Sequence, residues 1–264
     1  MKTHNNRMVR HEIQRRELTV VRTEPLTAKM RRIVLSGEAL RGFHSASPDD
    51  HIKLFFANAD GEVVVPTMTP QGPKLPAGAA PSPMRDYTPR HHDAETGELV
   101  IDFVLHGHGV ASSWAAQAKP GDTLTVAGPR GSFVVADDYD YYVLIGDETA
   151  LPAIGRWLEE MPNSARAQVF VEIADAGERQ SLQSAADVHI HWLERNGVDA
   201  ASSTRLEDAL REFKPDHGDT FYWIATESRR ARMMRKFIEG NLQVDPHSIR
   251  ATGYWKAGAN EDED

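Results

Sequence analysis

The sequence contains no cysteine among its 264 residues. This absence excludes disulfide bonds, thiolate catalysis, iron–sulfur clusters and zinc sites with cysteine ligands. No run of residues approaches the roughly 18 apolar residues that mark a membrane-spanning helix, and the first six residues lack the apolar centre of a secretory signal. We therefore expect a soluble, cytoplasmic protein that has no membrane partner.

An excess of positive charge is also lacking. The formal net charge is −9, which argues against a general binder of nucleic acid. The first 32 residues form a local exception, because they are rich in Arg and Lys and could serve as a nucleic-acid arm. The alternation of polar and apolar residues in Glu17–Val21 instead favours a strand with a charged outer face. Single-strand binders interleave aromatic residues with basic ones, and this stretch has none, so we expect no nucleic-acid partner.

The sequence changes character near residue 138. Before this point, short apolar stretches separated by Gly and Pro predict the strands of an antiparallel barrel or sandwich. After it, apolar runs alternate with helical segments, which predicts a parallel sheet with covering helices; such sheets bind ligands beyond the carboxyl ends of their strands. We predict a β domain over residues 15–135, an α/β domain over 138–258 and a disordered acidic tail over 259–264. The predicted strands are Leu18–Arg22, Met30–Leu35, Ile52–Phe56, Leu99–Leu105, Thr123–Val126, Tyr141–Ile145, Gln168–Ile173, Val188–Leu193 and Phe221–Ala225.

The segment Arg85-Asp86-Tyr87-Thr88 carries the first candidate chemistry. If it is extended, Arg85 and Tyr87 point to one face and Thr88 to the other. A planar ring stacks on an aromatic face, a pyrophosphate suits a guanidinium fork, and the edge of a flavin ring suits a small hydroxyl. These four residues also fit an ordinary edge strand with a surface arginine, so the segment by itself decides little.

A second motif follows the predicted strand that ends near Leu105. The turn Gly107-His108-Gly109 leads into Val110–Ala118, which has the composition of a helix. A glycine turn that opens a helix leaves free N–H groups aimed at one point, which is an anion site suited to a pyrophosphate. Such junctions are common, and this one is weak evidence when taken alone.

Together the two motifs, roughly 20 residues apart and in this order, resemble those of the ferredoxin–NADP reductase superfamily. The chain is most similar to the siderophore-interacting protein family, the bacterial NAD(P)H-dependent ferric-siderophore reductases. This resemblance implies a Greek-key β-barrel that binds FAD, followed by a parallel-sheet α/β domain that binds the nicotinamide cofactor. The segments that carry it are Asp50–Phe56, Arg85–Thr88, His106–Ala115, Pro120–Ser132, Gly146–Ile154 and Tyr254–Gly258.

The resemblance also implies a role for individual residues around the flavin. Tyr87 would stack on the isoalloxazine and Thr88 would lie beside its N5 atom. Arg85 would bind the pyrophosphate together with the turn and the start of the following helix. A further group would line the ribityl chain and the ring edge. The implied flavin contacts are Arg85, Tyr87, Thr88, Asp102, Val104, His106, Gly109, Ala111, Ser112 and Ser113.

The loop Gly146-Asp147-Glu148-Thr149 follows the first strand of the α/β half. We predict that Thr149 caps the next helix, which has Pro152 in its first turn. Family members use this loop near the flavin and the nicotinamide, which adds Glu148 and Thr149 to the predicted cofactor-binding residues. Trp255, in the segment Tyr254–Gly258, completes them. Asp147 and Glu148 would repel a phosphate, and they leave the pose of the donor open.

The choice between NADPH and NADH depends on the ribose 2′ position. Glu172 lies at the end of the second α/β strand, where an acid would bond a 2′-hydroxyl and favour NADH. Arg195, or Arg229 with Arg230, could instead hold a 2′-phosphate, or these arginines could decorate a solvated surface. The resemblance favours NADPH, with NADH as the alternative.

The implied acceptor is a ferric siderophore or another ferric chelate, which is often anionic. A reductase for it should present positive charge without metal ligands of its own. Lys53, Arg130 and Arg250 lie in segments that the family places around this pocket, and Lys256 could join them. The pairs His91-His92 and His106 with His108 could be read as metal ligands. Most of the histidines are scattered, however, and the doublet is predicted to lie in a polar loop, so we predict no metal site.

The resulting hypothesis is a monomeric enzyme that passes electrons from NAD(P)H through FAD to Fe(III) chelates and releases Fe(II). FAD converts a two-electron hydride into the single electrons that Fe(III) takes. Two alternatives remain at this point. The first is a related flavin oxidoreductase with another electron acceptor. The second is a ferric-siderophore binding protein without enzymatic activity.

Overall fold

The computed structural model describes residues 4–69, 71–215 and 218–258, without the side chain of Met68. The chain divides into two compact units. The β unit comprises Val9–Pro25 and Met30–Ser132, and the α/β unit comprises the described parts of Met1–Met8, Leu26–Lys29 and Phe133–Ala259. The predicted tail, residues 259–264, lies outside the described residues.

Among the described residues, strands predominate in the first half of the chain, and three of the four α-helices lie in the second half. Three short 3-10 helices of this part cover Glu38–Leu40, Ala176–Glu178 and Pro246–Ser248. The helices and strands are β1 Arg7–Arg10, β2 Arg15–Pro25, β3 Met30–Ser36, β4 Ile52–Phe55, β5 Thr67–Thr69, β6 Gly72–Lys74, β7 Met84–Tyr87, β8 His91–Asp93, β9 Glu98–Val104, α1 Val110–Gln117, β10 Thr123–Ala127, β11 Gly131–Val134, β12 Tyr141–Gly146, α2 Leu151–Glu160, β13 Arg166–Ile173, β14 Asp187–Glu194, α3 Arg205–Glu212, β15 Thr220–Glu227, α4 Ser228–Asn241 and β16 Ile249–Trp255.

The β unit is built on an antiparallel half-barrel. Among its described residues, seven strands pair in the order β7-β4-β10-β2-β3-β9-β8. Strand β2 shows why the sequence folds this way, since its Arg16, Leu18 and Val20 are buried while the residues between them are exposed. Leu18 and Val20 join a core with residues such as Ile33 and Phe103. Each large apolar side chain buried in this way contributes about 1.5–3 kcal/mol.

The α/β unit contains a parallel sheet. In the part that the structure describes, five strands lie in the order β14-β13-β12-β15-β16, all parallel. The first strand along the chain, β12, is therefore central, and the strand order reverses around it. Ligands of open parallel sheets bind at the carboxyl ends of the strands beside such a reversal. On one face the sheet packs against Leu206 and Leu210 of α3 and Ala231, Met234 and Ile238 of α4.

The predicted fold class, a β half followed by an α/β half, is confirmed, and each predicted strand is present. One prediction is corrected: His91 and His92, expected in a polar loop, lie in the edge strand β8. Their segment is polar, but pairing with β9 extends it. No helix among the described residues is long and apolar enough to cross a membrane.

Candidate functional site

The residues Arg85, Asp86 and Tyr87 of the predicted flavin-binding segment lie in strand β7 of the β unit. This strand pairs with β4, which places Tyr87 opposite Ile52 and Asp86 opposite Lys53. Because side chains alternate along a strand, Arg85 and Tyr87 share one face of the sheet, while Asp86 and Lys53 lie on the other. The sequence prediction that Arg85 and Tyr87 point together therefore agrees with the strand geometry.

The Tyr87 ring is half-buried against the core of the β unit. Its centroid lies 4.4 Å from that of Phe103, and the Phe103 ring in turn lies 5.7 Å from Trp114. Burial raises the pKa of Tyr87 well above its usual value, and the positive charge of Arg85 opposes the shift. Thr88, the next residue, is buried. Tyr87 thus presents a neutral aromatic ring held by packing.

The glycine turn after β9 opens helix α1. Gly107 has φ 81° and Gly109, which immediately precedes the helix, has φ 77° and ψ 151°. This last backbone conformation is essentially restricted to glycine. The first N–H groups of a helix have no partner within it, so the start of α1 offers donors to an anion.

The two serines of α1 differ in their placement. The Ser112 side chain is buried, and its Oγ accepts a hydrogen bond from the His106 N–H at 3.0 Å. Ser112 therefore braces the turn. Ser113 is exposed, while Ala111 is buried and packs into the core. His106 is exposed, and its carbonyl oxygen lies 2.9 Å from Nδ1 of His108.

Asp102 takes part in an ion pair inside the sheet. Arg32 donates to its two carboxylate oxygens at 2.7 and 2.8 Å, and Arg90 Nε lies 3.9 Å away. The side chain of Asp102 is buried, and Val104 projects from the same side of β9. The geometry thus supports a role for Asp102 in fixing the strands that carry the neighbouring residues. Arg32 and Arg90 have no local signal in the sequence, because each reaches Asp102 through a long-range contact.

The groups of the β unit fit a flavin dinucleotide. An aromatic ring for stacking (Tyr87), a guanidinium (Arg85) and the N–H groups at the start of α1 all belong to this unit. A pyrophosphate is bound by guanidinium forks and by helix N-termini. These residues would hold FAD, and the redox chemistry would come from its isoalloxazine.

The three predicted acceptor residues have different surroundings. Lys53 Nζ lies 2.9 and 3.1 Å from the carboxylate oxygens of Asp86, and both side chains are half-exposed. Arg130 is exposed and forms no ion pair with a described residue. In the α/β unit, the Arg250 guanidinium lies 5.0 Å from the centre of the Phe133 ring, a cation–π distance. The positive charge of Lys53 is thus partly neutralised.

The loop after β12 is organised by Asp147, which is 1 % exposed. One of its carboxylate oxygens accepts from the N–H and the hydroxyl of Thr149, at 2.9 and 2.5 Å. The other accepts from the Thr226 hydroxyl at 2.6 Å and from the Trp255 indole at 2.8 Å. The carboxylate of Asp147 is therefore turned inwards. It has a structural role and does not face a phosphate, as the sequence prediction of repulsion assumed.

Thr149 does not cap helix α2, which corrects the sequence prediction. The helix begins at Leu151, Ala150 occupies the cap position without a side-chain hydrogen bond, and Pro152 lies in the first turn as predicted. The Thr149 hydroxyl instead donates to Asp147. The hydroxyl therefore bonds to the buried Asp147 carboxylate and not to the start of the helix.

Glu148 points to a different partner, Arg195. The two guanidinium nitrogens of Arg195 contact the two oxygens of Glu148, one at 2.8 Å and the other more closely. Burial raises the pKa of Glu148, and the hydrogen bond from Arg195 opposes this shift. Arg195 is itself buried, so neither side chain of this pair is a free charge at the surface.

Glu172 lies in a buried ion network, which overturns its suggested role at a ribose 2′-hydroxyl. Its carboxylate is 0 % exposed and accepts from Arg230 at 2.7 and 3.1 Å and from Ser203 at 3.0 Å. Arg230 also donates to Glu207, and Arg195 approaches Glu172 to 3.4 Å. The suggested contact of Arg195 or Arg230 with a 2′-phosphate is likewise corrected, because both guanidiniums are buried against carboxylates.

Arg229 differs from its neighbour. It lies in the first turn of α4, is exposed, and its side chain has no ion pair with a described residue. Its backbone N–H donates to Glu227 at 2.7 Å, which fixes the turn. Of the residues considered for the 2′ position, Arg229 therefore keeps an accessible charge in the described structure.

Within residues 4–69, 71–215 and 218–258, no group of three or more His, Asp or Glu side chains could hold a metal ion. His106 and His108 stack edge to face with their ring centroids 4.3 Å apart, and His92 contacts Phe43. These histidines make packing and backbone contacts.

Relatives of this protein match nearly the whole length of the chain. A family model described as the siderophore-interacting FAD-binding domain matches residues 19–133, and one described as siderophore-interacting protein matches 139–258. The NADPH-dependent ferric-chelate reductase of Escherichia coli is 42% identical over 252 residues, which cover 94% of this chain and 96% of that protein.

Two further relatives agree. The ferric vibriobactin reductase ViuB of Vibrio cholerae is 31% identical over 96% of this chain and 94% of its own length. The crystal structure of a siderophore utilization protein from T. fusca shares 36% identity and superimposes with a TM-score of 0.90, covering 97% of this chain and 98% of that one. With both halves matched and a 42% identical relative spanning nearly the full chain, the protein belongs to the siderophore-interacting protein family.

Proposed function

We propose that the protein is an FAD-dependent ferric-siderophore reductase that takes its electrons from NADPH, with NADH as the alternative donor. The observation that carries this proposal is the combination, within the β unit, of the Tyr87 ring, the Arg85 guanidinium and the glycine turn that opens α1. The names of the Escherichia coli and Vibrio cholerae relatives, both reductases of ferric chelates, support it.

The residues of the β unit bind and orient the flavin. When bound, FAD supplies the conversion of a two-electron hydride into single electrons for Fe(III). Tyr87 stacks on the ring system, Thr88 lies at its reactive edge, and Arg85 with the start of α1 holds the pyrophosphate. Packing against Phe103 restricts Tyr87 in advance, which lowers the entropy lost on binding. His106 and Val104 contribute at the margin, and Asp102 and Ser112 keep the strand and the turn in place.

The α/β unit binds the nicotinamide donor. Glu148, Thr149 and Trp255 lie at or beyond the carboxyl ends of β12 and β16, where parallel sheets hold their ligands. Arg229 binds the 2′-phosphate of NADPH, because it keeps an accessible guanidinium while Arg195 and Arg230 are buried. The donor named for the Escherichia coli relative is consistent with this assignment.

The acceptor is held by charge. Ferric siderophores bind iron through hard oxygen ligands and are often anionic, so cationic side chains attract them without competing for the metal. Arg130 contributes most in the β unit because it is exposed and without an ion-pair partner among the described residues, whereas Lys53 shares its charge with Asp86. We also propose Arg250 as an acceptor contact, on the resemblance to the family. Reduction to Fe(II) weakens the hold of oxygen ligands and releases the iron.

Two further parts of the proposal concern the setting of the reaction. A reductase that draws on NADPH acts where this cofactor is maintained, and we assign the protein to the cytoplasm for this reason. A single chain carries both the flavin-binding and the donor-binding residues, so we propose that it acts as a monomer.

An anaerobic visible spectrum tests the function. The purified protein, reconstituted with FAD where necessary, should show flavin absorption that bleaches on addition of NADPH and returns on addition of a ferric siderophore. An Fe(II)-specific chelator should report released iron in the same cuvette, and an iron-free siderophore serves as the control. A protein that cannot be loaded with FAD contradicts the proposal. Bleaching that only a quinone or a carrier protein reverses would instead identify a flavin oxidoreductase with another acceptor.

A further inference from the structure

The carboxylate of Asp147 has an unusual set of partners. Four described hydrogen bonds end on it, from the Thr149 N–H, the Thr149 hydroxyl, the Thr226 hydroxyl and the Trp255 indole N–H. All four groups donate, and Asp147 is 1 % exposed. An ionised carboxylate can accept this many hydrogen bonds, because its two oxygens offer about four acceptor sites and it has no donor of its own. An amide at this position would set an NH2 group against at least one of these donors.

These donors come from three neighbouring strands of the sheet. Thr149 follows β12, Thr226 belongs to β15 and Trp255 ends β16. The strands β12, β15 and β16 are adjacent in this order, so the bond from Trp255 to Asp147 reaches across β15. Position 146 leaves no room for a side chain, which is why glycine suits it. A Cβ atom there would overlap the side chain of Ala150 and lie 2.9 Å from the carbonyl oxygen of Ala225.

Trp255 is held at two places by two kinds of contact. Its carbonyl oxygen accepts from the Ser228 hydroxyl at 2.9 Å, which fixes the main chain. Its indole Nε1 donates to Asp147 at 2.8 Å, and the side chain is half-buried. The main-chain contact leaves the ring free to rotate about its side-chain bonds, whereas the indole contact fixes its orientation.

We propose that Asp147 is a positioning residue, which fixes the Trp255 indole in the orientation at which this ring contacts the cofactor. The inference rests on the proposed function, in which Trp255 is a cofactor-binding residue. It extends that function to a buried carboxylate that touches neither donor nor flavin. It also explains why Asp147 is compatible with a nucleotide-binding loop, since its carboxylate accepts hydrogen bonds from donors inside the protein.

A double-mutant cycle tests the proposal in the FAD-loaded enzyme. Asp147→Ala should raise the KM for NADPH by about tenfold, the size expected when a hydrogen bond to a charged group is lost, with a smaller change in kcat. In the Trp255→Phe background the same substitution should produce no further rise, because its effect passes through the indole. Thr226→Val is the matched control, since it removes another donor to the same oxygen and should leave the KM unchanged.

Replacement of Trp255 by 3-benzothienylalanine removes the indole N–H and keeps the shape of the ring. This analogue should reproduce the KM effect of Asp147→Ala, and it keeps the test decisive if the alanine variant does not fold. An unchanged KM with the analogue, or an equal rise for Asp147→Ala in both backgrounds, overturns the proposal and leaves Asp147 with a purely structural role.

A second readout needs no catalysis. In the FAD-free protein, the emission of Trp255 is obtained as the difference between each protein and its Trp255→Phe counterpart. With Asp147→Ala this difference spectrum should move to longer wavelength and become more accessible to acrylamide, because the ring is released. An unaltered difference spectrum overturns the positioning role even where the enzyme is active. Failure of the parent protein to bind FAD would refute the proposed function and leave this arm to decide the orientation of the indole.

Discussion

Arg230 and Glu172 form an ion pair in the interior of the α/β unit, with their nitrogen and oxygen atoms 2.7 and 3.1 Å apart. Glu172 is 0 % and Arg230 5 % exposed, and Glu207 receives two further hydrogen bonds from the same guanidinium at 2.8 Å. An acidic residue at the end of the second parallel strand usually accepts a hydrogen bond from a ribose 2′-hydroxyl. In this protein its carboxylate is instead paired inside the α/β unit.

Breaking this pair should destabilise the protein strongly. Arg230→Ala leaves the Glu172 carboxylate buried without its main partner, and such losses cost about 3–5 kcal/mol. Urea unfolding measures the change in the free energy of unfolding. Arg229→Ala, at the next position but exposed, is the matched control and should change it by less than about 0.5 kcal/mol. Equal effects of the two variants would contradict the assignment of Arg230 to a buried network.

Arg229 should instead affect the choice of donor. Arg229→Ala removes a charged contact to the 2′-phosphate, so the KM for NADPH should rise by about tenfold. The KM for NADH, which lacks this phosphate, should stay the same. Steady-state kinetics with both donors and a common ferric chelate provide the measurement, and Lys236→Ala, two turns further along α4, is the control. A parallel rise for NADPH and NADH would show that Arg229 does not read the phosphate.

Gly109 should be essential for flavin binding. An alanine at φ 77° and ψ 151° is strained by about 1–3 kcal/mol, and relief of the strain would move the first N–H groups of α1. Gly109→Ala should therefore lose FAD on desalting, which the absorbance ratio of flavin to protein reports. Gly97→Ala is the control, since Gly97 also has a positive φ but lies in the turn between β8 and β9 and not at the start of α1. Retention of FAD by Gly109→Ala at the level of the parent would remove the α1 start from the site.

Asp86 should restrain the binding of the acceptor. Asp86→Asn removes the carboxylate 2.9 Å from Lys53 Nζ and leaves the positive charge of Lys53 unbalanced. We expect the KM for an anionic ferric siderophore to fall by about twofold to fivefold at low ionic strength, as for an exposed charge, and the effect to fade in salt. The double variant Asp86→Asn with Lys53→Met should lose the gain. No change in KM at low salt would exclude Lys53 from the acceptor site.

Stability should depend on pH through Glu148. Burial raises the pKa of Glu148 in the folded protein, although Arg195 opposes the shift. The folded state then holds the proton more readily than the unfolded state. The contribution to stability is therefore complete below the ordinary glutamate pKa of about 4.3 and is lost as pH rises through the raised value. Glu148→Gln does not titrate, so the stability of the parent relative to this variant should fall as pH rises from 4 to 7.

Urea unfolding of both proteins across this pH range gives the comparison, with the exposed Glu212→Gln as the control. A stability difference that is constant, or that grows with pH, would mean that Arg195 outweighs burial at this site.

The sequence alone determined the class of the fold and the family. Alternating burial in β2 and the apolar runs of β12 and β15 are local patterns, because each strand must bury one or both faces. Likewise, Arg85–Thr88 and the turn at Gly109 are contiguous motifs that can be read without a partner. Motifs of this kind carry both the backbone conformation and the chemistry within a few residues.

Only the tertiary structure decided which charges are available. Asp102, Asp147, Glu172, Arg195 and Arg230 all have residue types suited to a ligand, yet the structure turns each towards partners far away in the chain. Arg229 and Arg230 are neighbours in sequence, and one is exposed while the other is 5 % exposed. Adjacent residues of a helix are rotated by about 100° around its axis. Long-range ion pairs then determine which side chain faces the solvent and which faces the interior. A buried charge must be paired, and the partner that satisfies it is supplied by the fold.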